Sequence, residues 1–477
     1  MCREGLPQAG LLKSSTRAVL RALDSVVGSV AEFNKCAALA AEAPRGSKQA
    51  PESRPRSRRD SFTLEEVAQH SSEGDAWLVV KNRVYDVTAF WPVHPGGRVI
   101  LTYAGRDATD VFATFHAAAS WALLHEHRIG KLAAEDVAAT PALLADFRDL
   151  RARLQAEGLF RASKAYYAWK AASTCALAAT AVAVLAACGG TWAGVVASAA
   201  LLALFWQQAG WLAHDFLHHQ VFAARRLNNA AGYFLGNVCQ GFSTDWWKSK
   251  HNTHHAAPNE LAPGNGGAVD PDIDTLPLLA WSEGMLDALA SARVRRLLRA
   301  QHYYFVPILM LARLAWAQQS VEHAWRLGKA GRGWGELGLI GLHYSWTAGV
   351  AFACLAPMQA IAYLLLGQVL CGLLLSIVFV QSHNGMEVYS GSKDFVTAQV
   401  VSTRDILSTP WTDWFTGGLN YQVEHHLFPT LPRHRLGAVA PRVAALCAQH
   451  GLAYEACGMA EGMRRVLACL ASVARLA

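Results

Sequence analysis

Four long apolar runs stand out along the chain, at residues 171–188, 192–212, 337–356 and 360–380. Each holds 18 to 21 residues. At about 1.5 Å per residue such a helix covers roughly 27 to 32 Å, close to the ~30 Å hydrocarbon core of a bilayer. Only Gly-Gly-Thr (189–191) and Pro-Met-Gln (357–359) separate the members of each pair, so two helical hairpins are expected. Neither link carries Lys or Arg, while the outer flanks carry Lys164, Lys170, Arg225, Arg226, Lys248, Arg326, Lys329, Arg332, Lys393 and Arg404. Because positive charge accumulates on cytosolic loops, both termini are expected on the cytosolic side. A weaker run at 303–316 contains Pro307 and Arg313 and is too short to span; with 233–242 it is expected to form interfacial helices or the wall of an apolar tunnel.

Ahead of the hairpins the periodicity changes. Residues 60–134 hold short segments such as Ala-Trp-Leu-Val-Val (76–80) and Arg-Val-Tyr-Asp-Val (83–87) between turn residues, the texture of a small α+β domain. Within 135–165, the charged stretch 141–160 has helical periodicity and is read as a connector. Residues 166–455 are expected to form an all-α polytopic domain of four membrane helices under a cytosolic helical cap, and 456–477 a tail. Residues 1–59 end in a Pro-, Ser- and charge-rich stretch that cannot bury enough apolar surface to fold alone. They are expected to be a disordered extension, with a plastid-type transit peptide as the alternative, since 12–30 has an amphipathic pattern.

Composition agrees with this multi-domain membrane protein: 52% of residues are hydrophobic and 17% charged. A net charge of +7 spread over 477 residues makes no large basic field, so no nucleic-acid partner is implied. The ten cysteines are scattered without a C-x-x-C pair, which reads as reduced packing thiols and not as disulfides or a zinc site.

Two constellations carry chemistry. In the first, His94 sits in a Pro-Gly-Gly turn and His116 follows 22 positions later, at the end of a short helical pattern. Two neutral imidazoles facing each other can ligate haem iron on both sides, leaving no open position, which suits electron transfer. His125 and His127 lie beyond the pattern and are read as surface residues.

In the second, "HDFLHH" offers His214, His218 and His219, "HNTHH" offers His251, His254 and His255, and "QVEHH" offers His425 and His426. Spacings of three and four put paired rings on one side of a helix, and imidazole ligation suits a pair of iron ions with positions open for O2. Gln422 stands where the other clusters begin with histidine.

Together these residues resemble the front-end fatty acyl desaturases, whose members join an N-terminal cytochrome b5 domain to HxxxHH, HxxHH and QxxHH boxes. The resemblance runs from residue 60 into the C-terminal region. "GWLAHDFLHHQVF", "WWKSKHNTHHAAPNE", "DPDIDTLP", "SHNGMEVY" and "DWFTGGLNYQVEHHLFPTLPRH" are similar to delta-6-type members. It implies haem b between His94 and His116 and two non-haem irons on the boxes. Gln422 would then be a signature, either a ligand or a group that positions its neighbours, and His383 in "QSHNG" a ninth histidine ligand. It further implies O2 as co-substrate and electrons from NADH-cytochrome b5 reductase. The substrate would be an acyl chain on CoA or glycerolipid, entering from the bilayer along an apolar tunnel. The expected activity inserts a cis double bond between an existing one and the carboxyl end, at position 6, in the endoplasmic reticulum with the boxes facing the cytosol; a plastid membrane is the alternative. Positions 5, 8 and 4, a sphingoid-base delta-8 desaturase and an acyl hydroxylase are the alternatives of the same fold, and a membrane-anchored haem protein without non-haem iron is the alternative of another class. His343 is left as packing or tunnel lining, and Asp270, Asp272 and Asp274 as a solvated loop or a contact for a carrier or a basic face.

Overall fold

The computed structural model describes residues 60–477 apart from 138, 265 and 288, so the reading of 1–59 lies outside the described residues. The N-terminal domain is built on a five-stranded sheet of order β1-β5-β4-β3-β2, with β1 at Ser61–Phe62, β2 at Ser71–Ser72, β3 at Asp75–Val80, β4 at Arg83–Asp86 and β5 at Arg128–Leu132. The antiparallel β3–β4 hairpin turns at Lys81 and Asn82, both at positive φ, as a two-residue hairpin requires. Alternation along β3 sends Ala76, Leu78 and Val80 into one core with Tyr85 and Leu124, and Trp77 and Val79 into another with Val84 and Leu132. The first of these cores lies beneath the helix that ends at the second haem-clamp histidine, α1 (Thr109–Phe115).

The connector becomes α2 (Ala142–Ala156), and it is no free linker. Phe147, Leu150 and Leu154, three and four apart, are buried against Val396, Val423 and Phe428 near the third histidine box.

Among the described residues, four helices are long and apolar enough to cross a membrane. The first hairpin is α3 (Lys164–Cys188) and α4 (Trp192–Leu217); the chain then crosses the polar end as α5 (Thr244–Ala256), and the second hairpin is α6 (Trp334–Cys354) and α7 (Pro357–His383). Each helix begins ahead of its apolar run or continues past it. Hydropathy falls where polar side chains begin, but backbone hydrogen bonding does not stop there, so α4 carries on to the first box and α7 to His383. Of the most apolar window, 67% is buried in α4 and 17% in α3, which makes α4 the inner helix and α3 the outer. Ala199, Ala203 and Trp206 of α4 pack with Cys371 and Leu375 of α7.

The run at 303–316 splits at Leu311 into two helices, Gln301–Met310 and Ala312–Lys329. Arg313 is buried there: its guanidinium covers the Trp206 ring at 3.9 Å, bonds Gln368 and the Gln240 carbonyl, and lies 3.2 Å from His343 Nε2. His343 is therefore packed, as expected. Within the segment 233–242 the helix Arg225–Tyr233 continues as a wider, π-helical stretch at Phe234–Gln240 that ends at Gly241.

Two short helices, α8 (Phe395–Val401) and α9 (Gln422–Leu427), close the polar end. The last segment differs from the expected tail: α10 (Met459–Leu476) buries Val466, Leu470 and Val473 against Phe305 and Leu309. Their spacing of three and four residues makes the apolar stripe that holds it.

Candidate metal and haem sites

His94 and His116 face each other with ring centres 6.0 Å apart. Each pins one ring nitrogen to the backbone: His94 Nδ1 lies 3.1 Å from the Gly97 carbonyl and His116 Nδ1 3.1 Å from that of Phe112. The Nε2 atoms are thereby left facing inward. Burial lowers the pKa of both, that of His116 to about 4 with the help of His94, so the rings are neutral and their lone pairs free at neutral pH. Phe112 stacks on His116 at 4.2 Å and fixes its plane. The arrangement fits a haem held from both faces.

The second constellation gathers at the polar end of the bundle, on α4, α5, α7 and α9. It forms two groups. His214, His218, His251, His255 and His425 bring their ligand atoms within 4.8 Å of one another, and so do His254, His383 and His426. Nitrogens about 2 Å from a shared ion lie about 3 to 4 Å from each other, so both groups are of a size to enclose one. In the first, His251 Nε2 is 2.9 Å from His218 Nε2 and 3.0 Å from His255 Nε2. The two groups meet where His255 and His426 stack at 4.1 Å.

The chemistry of the donors fits a metal pair. Nε2 of His214, His425 and His426 is buried with no hydrogen-bond partner, a costly state for a polar atom in a protein interior unless an ion takes the lone pair. Burial, reinforced by neighbouring imidazoles, holds His218, His251, His255, His425 and His426 well below their ordinary pKa, hence neutral.

Opposite nitrogens are anchored from outside. His254 Nδ1 lies 3.0 Å from the Asp270 carboxylate, His426 Nδ1 2.8 Å from Gln399 Oε1, and His383 Nδ1 3.3 Å from the Ser402 carbonyl. These acceptors select the Nδ1–H form and turn Nε2 towards the group. Burial would lower the pKa of His254, but Asp270 and Asp272 raise it to about 9. Asp270 is fully buried and also accepts from the Asn259 and Asp272 amides, which corrects the solvated-loop reading for Asp270, while Asp272 and Asp274 are exposed.

Gln422 falls in the three-histidine group, its side-chain amide 2.7 Å from His383 Nε2. His383 sits beside His254 and His426, where the ninth histidine was expected. His219 falls in neither group: its backbone takes positive φ just after α4, and its Nδ1 is buried without a partner. Asp270 and Gln399 carry no local sequence signal of their role, lying 16 and 27 positions from the rings they hold.

With this geometry in view, comparison with known proteins is specific. Residues 190–458 match the family described as fatty acid desaturase, and residues 63–133 the cytochrome b5-like heme/steroid binding domain. The chain is 48% identical to the acyl-lipid (9-3)-desaturase of Physcomitrium patens, over 88% of this chain and 79% of that protein. It is 36% identical to the Delta(6)-fatty-acid desaturase fat-3 of Caenorhabditis elegans, over 76% and 87%. With the Delta(8)-fatty-acid desaturase of Euglena gracilis it shares 38% identity, over 84% and 96%.

Proposed function

The chain belongs to the fatty acid desaturase family and carries its own cytochrome b5-like domain, and from that premise we propose a delta-6 front-end acyl desaturase with assigned ligands for each cofactor. The family sets the coarser statement: a front-end fatty acid desaturase in a membrane, working with haem, two irons and O2. Bound iron supplies the oxidising power that no side chain has for an unactivated methylene, and bound haem supplies electrons singly.

The residue roles follow the geometry. His94 and His116 hold the haem. His214, His218, His251, His255 and His425 hold one iron, and His254, His383 and His426 the other, with Gln422 completing the smaller group. Asp270, Gln399 and the Ser402 carbonyl keep the proton on the outer nitrogen of their partners, so that the inner one stays a ligand. The observation that carries this reading is the division of eight imidazoles, seven of them buried and His251 half-buried, into groups of five and three, with the unpartnered Nε2 atoms of His214, His425 and His426 among them.

Support for carbon 6 is the relative named Delta(6)-fatty-acid desaturase, together with the delta-6-like motifs around the three boxes. The flanking charges support boxes that face the cytosol, where NADH-cytochrome b5 reductase would recharge the haem at the endoplasmic reticulum.

The test is product analysis in a yeast-like host fed linoleate and α-linolenate, with His425→Ala and His94→Ala beside the parent chain. A new double bond at carbon 6, lost in both variants, is the expected result. A bond at carbon 5 or 8 corrects the position and keeps the chemistry; no new acyl product with haem still bound redirects the search to sphingoid bases.

A further inference from the structure

The haem domain is seated on the metal-bearing end of the membrane domain by contacts along α1 and the segment just ahead of it. The Tyr103 hydroxyl donates to the Ala256 carbonyl at 3.1 Å, and Arg106 pairs with the buried Glu260 at 2.7 Å. On the other side, Arg148 of α2 grips Asp110 of α1 through two bonds of 2.7 and 2.9 Å, and Arg151 bonds the Ala113 carbonyl. Arg225 reaches the Phe115 carbonyl at 3.5 Å. Helix α1 is therefore held at its start, middle and end.

The last residue of α1 is Phe115, whose chain neighbour is His116. Its ring meets His255 edge to face, centres 6.0 Å apart and planes at 79°. His255 belongs to the five-histidine group, stacks on His426 of the other, and lies 3.0 Å from His251 through Nε2. One aromatic side chain thus touches the ring at which both groups meet, and it stands next in sequence to a residue of the haem clamp.

We propose that Phe115 is a positioning residue for electron transfer, the aromatic contact through which the His116 side of the haem couples to His255 and the iron pair. The inference rests on the ligand assignment above. One electron crosses at a time: a ferrous haem becomes ferric as one ferric ion of the pair becomes ferrous, and no bond is made or broken. Two such transfers, with two protons from water and the two hydrogens taken from the acyl chain, reduce one O2 to two waters. A nicotinamide-dependent reductase recharges the haem. Packing that holds the two domains in this contact replaces a bimolecular encounter by a permanent one.

The experiment uses the full-length chain loaded with haem and iron. Its haem is reduced and then mixed with O2 and acyl substrate, and haem reoxidation is followed by stopped-flow absorbance. Phe115→Leu keeps an apolar side chain and removes the ring; Phe115→Tyr keeps the ring. Reoxidation in Phe115→Leu is expected to slow roughly tenfold or more, the scale on which ångström-level loss of positioning costs rate. Phe115→Tyr is expected to restore most of it. The haem spectrum, its midpoint potential and the iron content are expected to stay at parental values in both. Equal rates in Phe115→Leu and the parent overturn the proposal. A shifted potential or lost iron in that variant also overturns it, because Phe115 then acts through structure. If the parent haem itself is not reoxidised by O2 and substrate, the ligand assignment fails first and takes this inference with it.

Discussion

The Asp270 carboxylate, with no solvent exposure, does for His254 what no box motif announces: it accepts the hydrogen bond of Nδ1–H and turns Nε2 towards His383 and His426. Outer partners of this kind typically cost about ten- to a hundredfold in metal affinity when removed. Asp270→Ala is accordingly expected to lose iron from the three-histidine group first. Iron per haem, measured after gel filtration against a chelator, should fall towards one, with the haem absorbance as internal standard. His219→Ala belongs in the same assay, since a ring outside both groups should leave the ratio at the parental value. Parental iron in Asp270→Ala, or iron loss in His219→Ala, would reverse this division of roles. The rings themselves are legible because three- and four-residue spacing is a local property of a helix. Asp270 and Gln399 are not, because each reaches its ring across a turn of the tertiary fold.

The helices show where apolar runs stop being a guide. Hairpins are readable from hydropathy and link length, but the functional ends of α4 and α7 lie in the polar residues beyond, so the runs point to the site without containing it. Likewise α10 has too many charges to stand out as an apolar run, yet its stripe of Val466, Leu470 and Val473 docks it beside the bundle. A glycine sets how the third box meets the first. Gly417 takes φ +65°, and a Cβ there would lie 2.5 Å from Trp211 Cγ, one turn before His214. Trp211 cannot yield, being buried with its indole N–H donating to the Phe415 carbonyl at 2.9 Å. Gly417→Ala adds about 1–3 kcal/mol of backbone strain and about 1–3 kcal/mol of overpacking. The expected outcome is a thermal midpoint lowered by several degrees in detergent, together with lost iron as α4 and α9 are pushed apart. An unchanged midpoint would mean that this junction is softer than its packing indicates.

Two cofactor sites on separate cores make the molecule divisible in one respect and not in another. The haem clamp stands over the core of Leu78, Val80 and Tyr85, while the histidine groups stand on that of Trp206, Cys371 and Leu375, and the two cores share no residue. Loading should therefore be independent. His94→Ala is expected to lose its haem absorbance while iron stays at the parental level; His425→Ala is expected to lose iron while the haem spectrum stays intact. Product formation, in contrast, should vanish in both, because electrons enter at one site and C–H removal happens at the other. Mixing the two variants tests how far the domains act within one chain. The contacts Arg106–Glu260, Arg148–Asp110 and Phe115–His255 hold each haem domain against its own metal groups, so an intact haem domain on one molecule should serve the intact irons of another poorly. Desaturation by the mixture should stay far below that of the parent at equal concentration, whereas recovery close to parental would show that the haem domain leaves its seat and exchanges between chains during turnover.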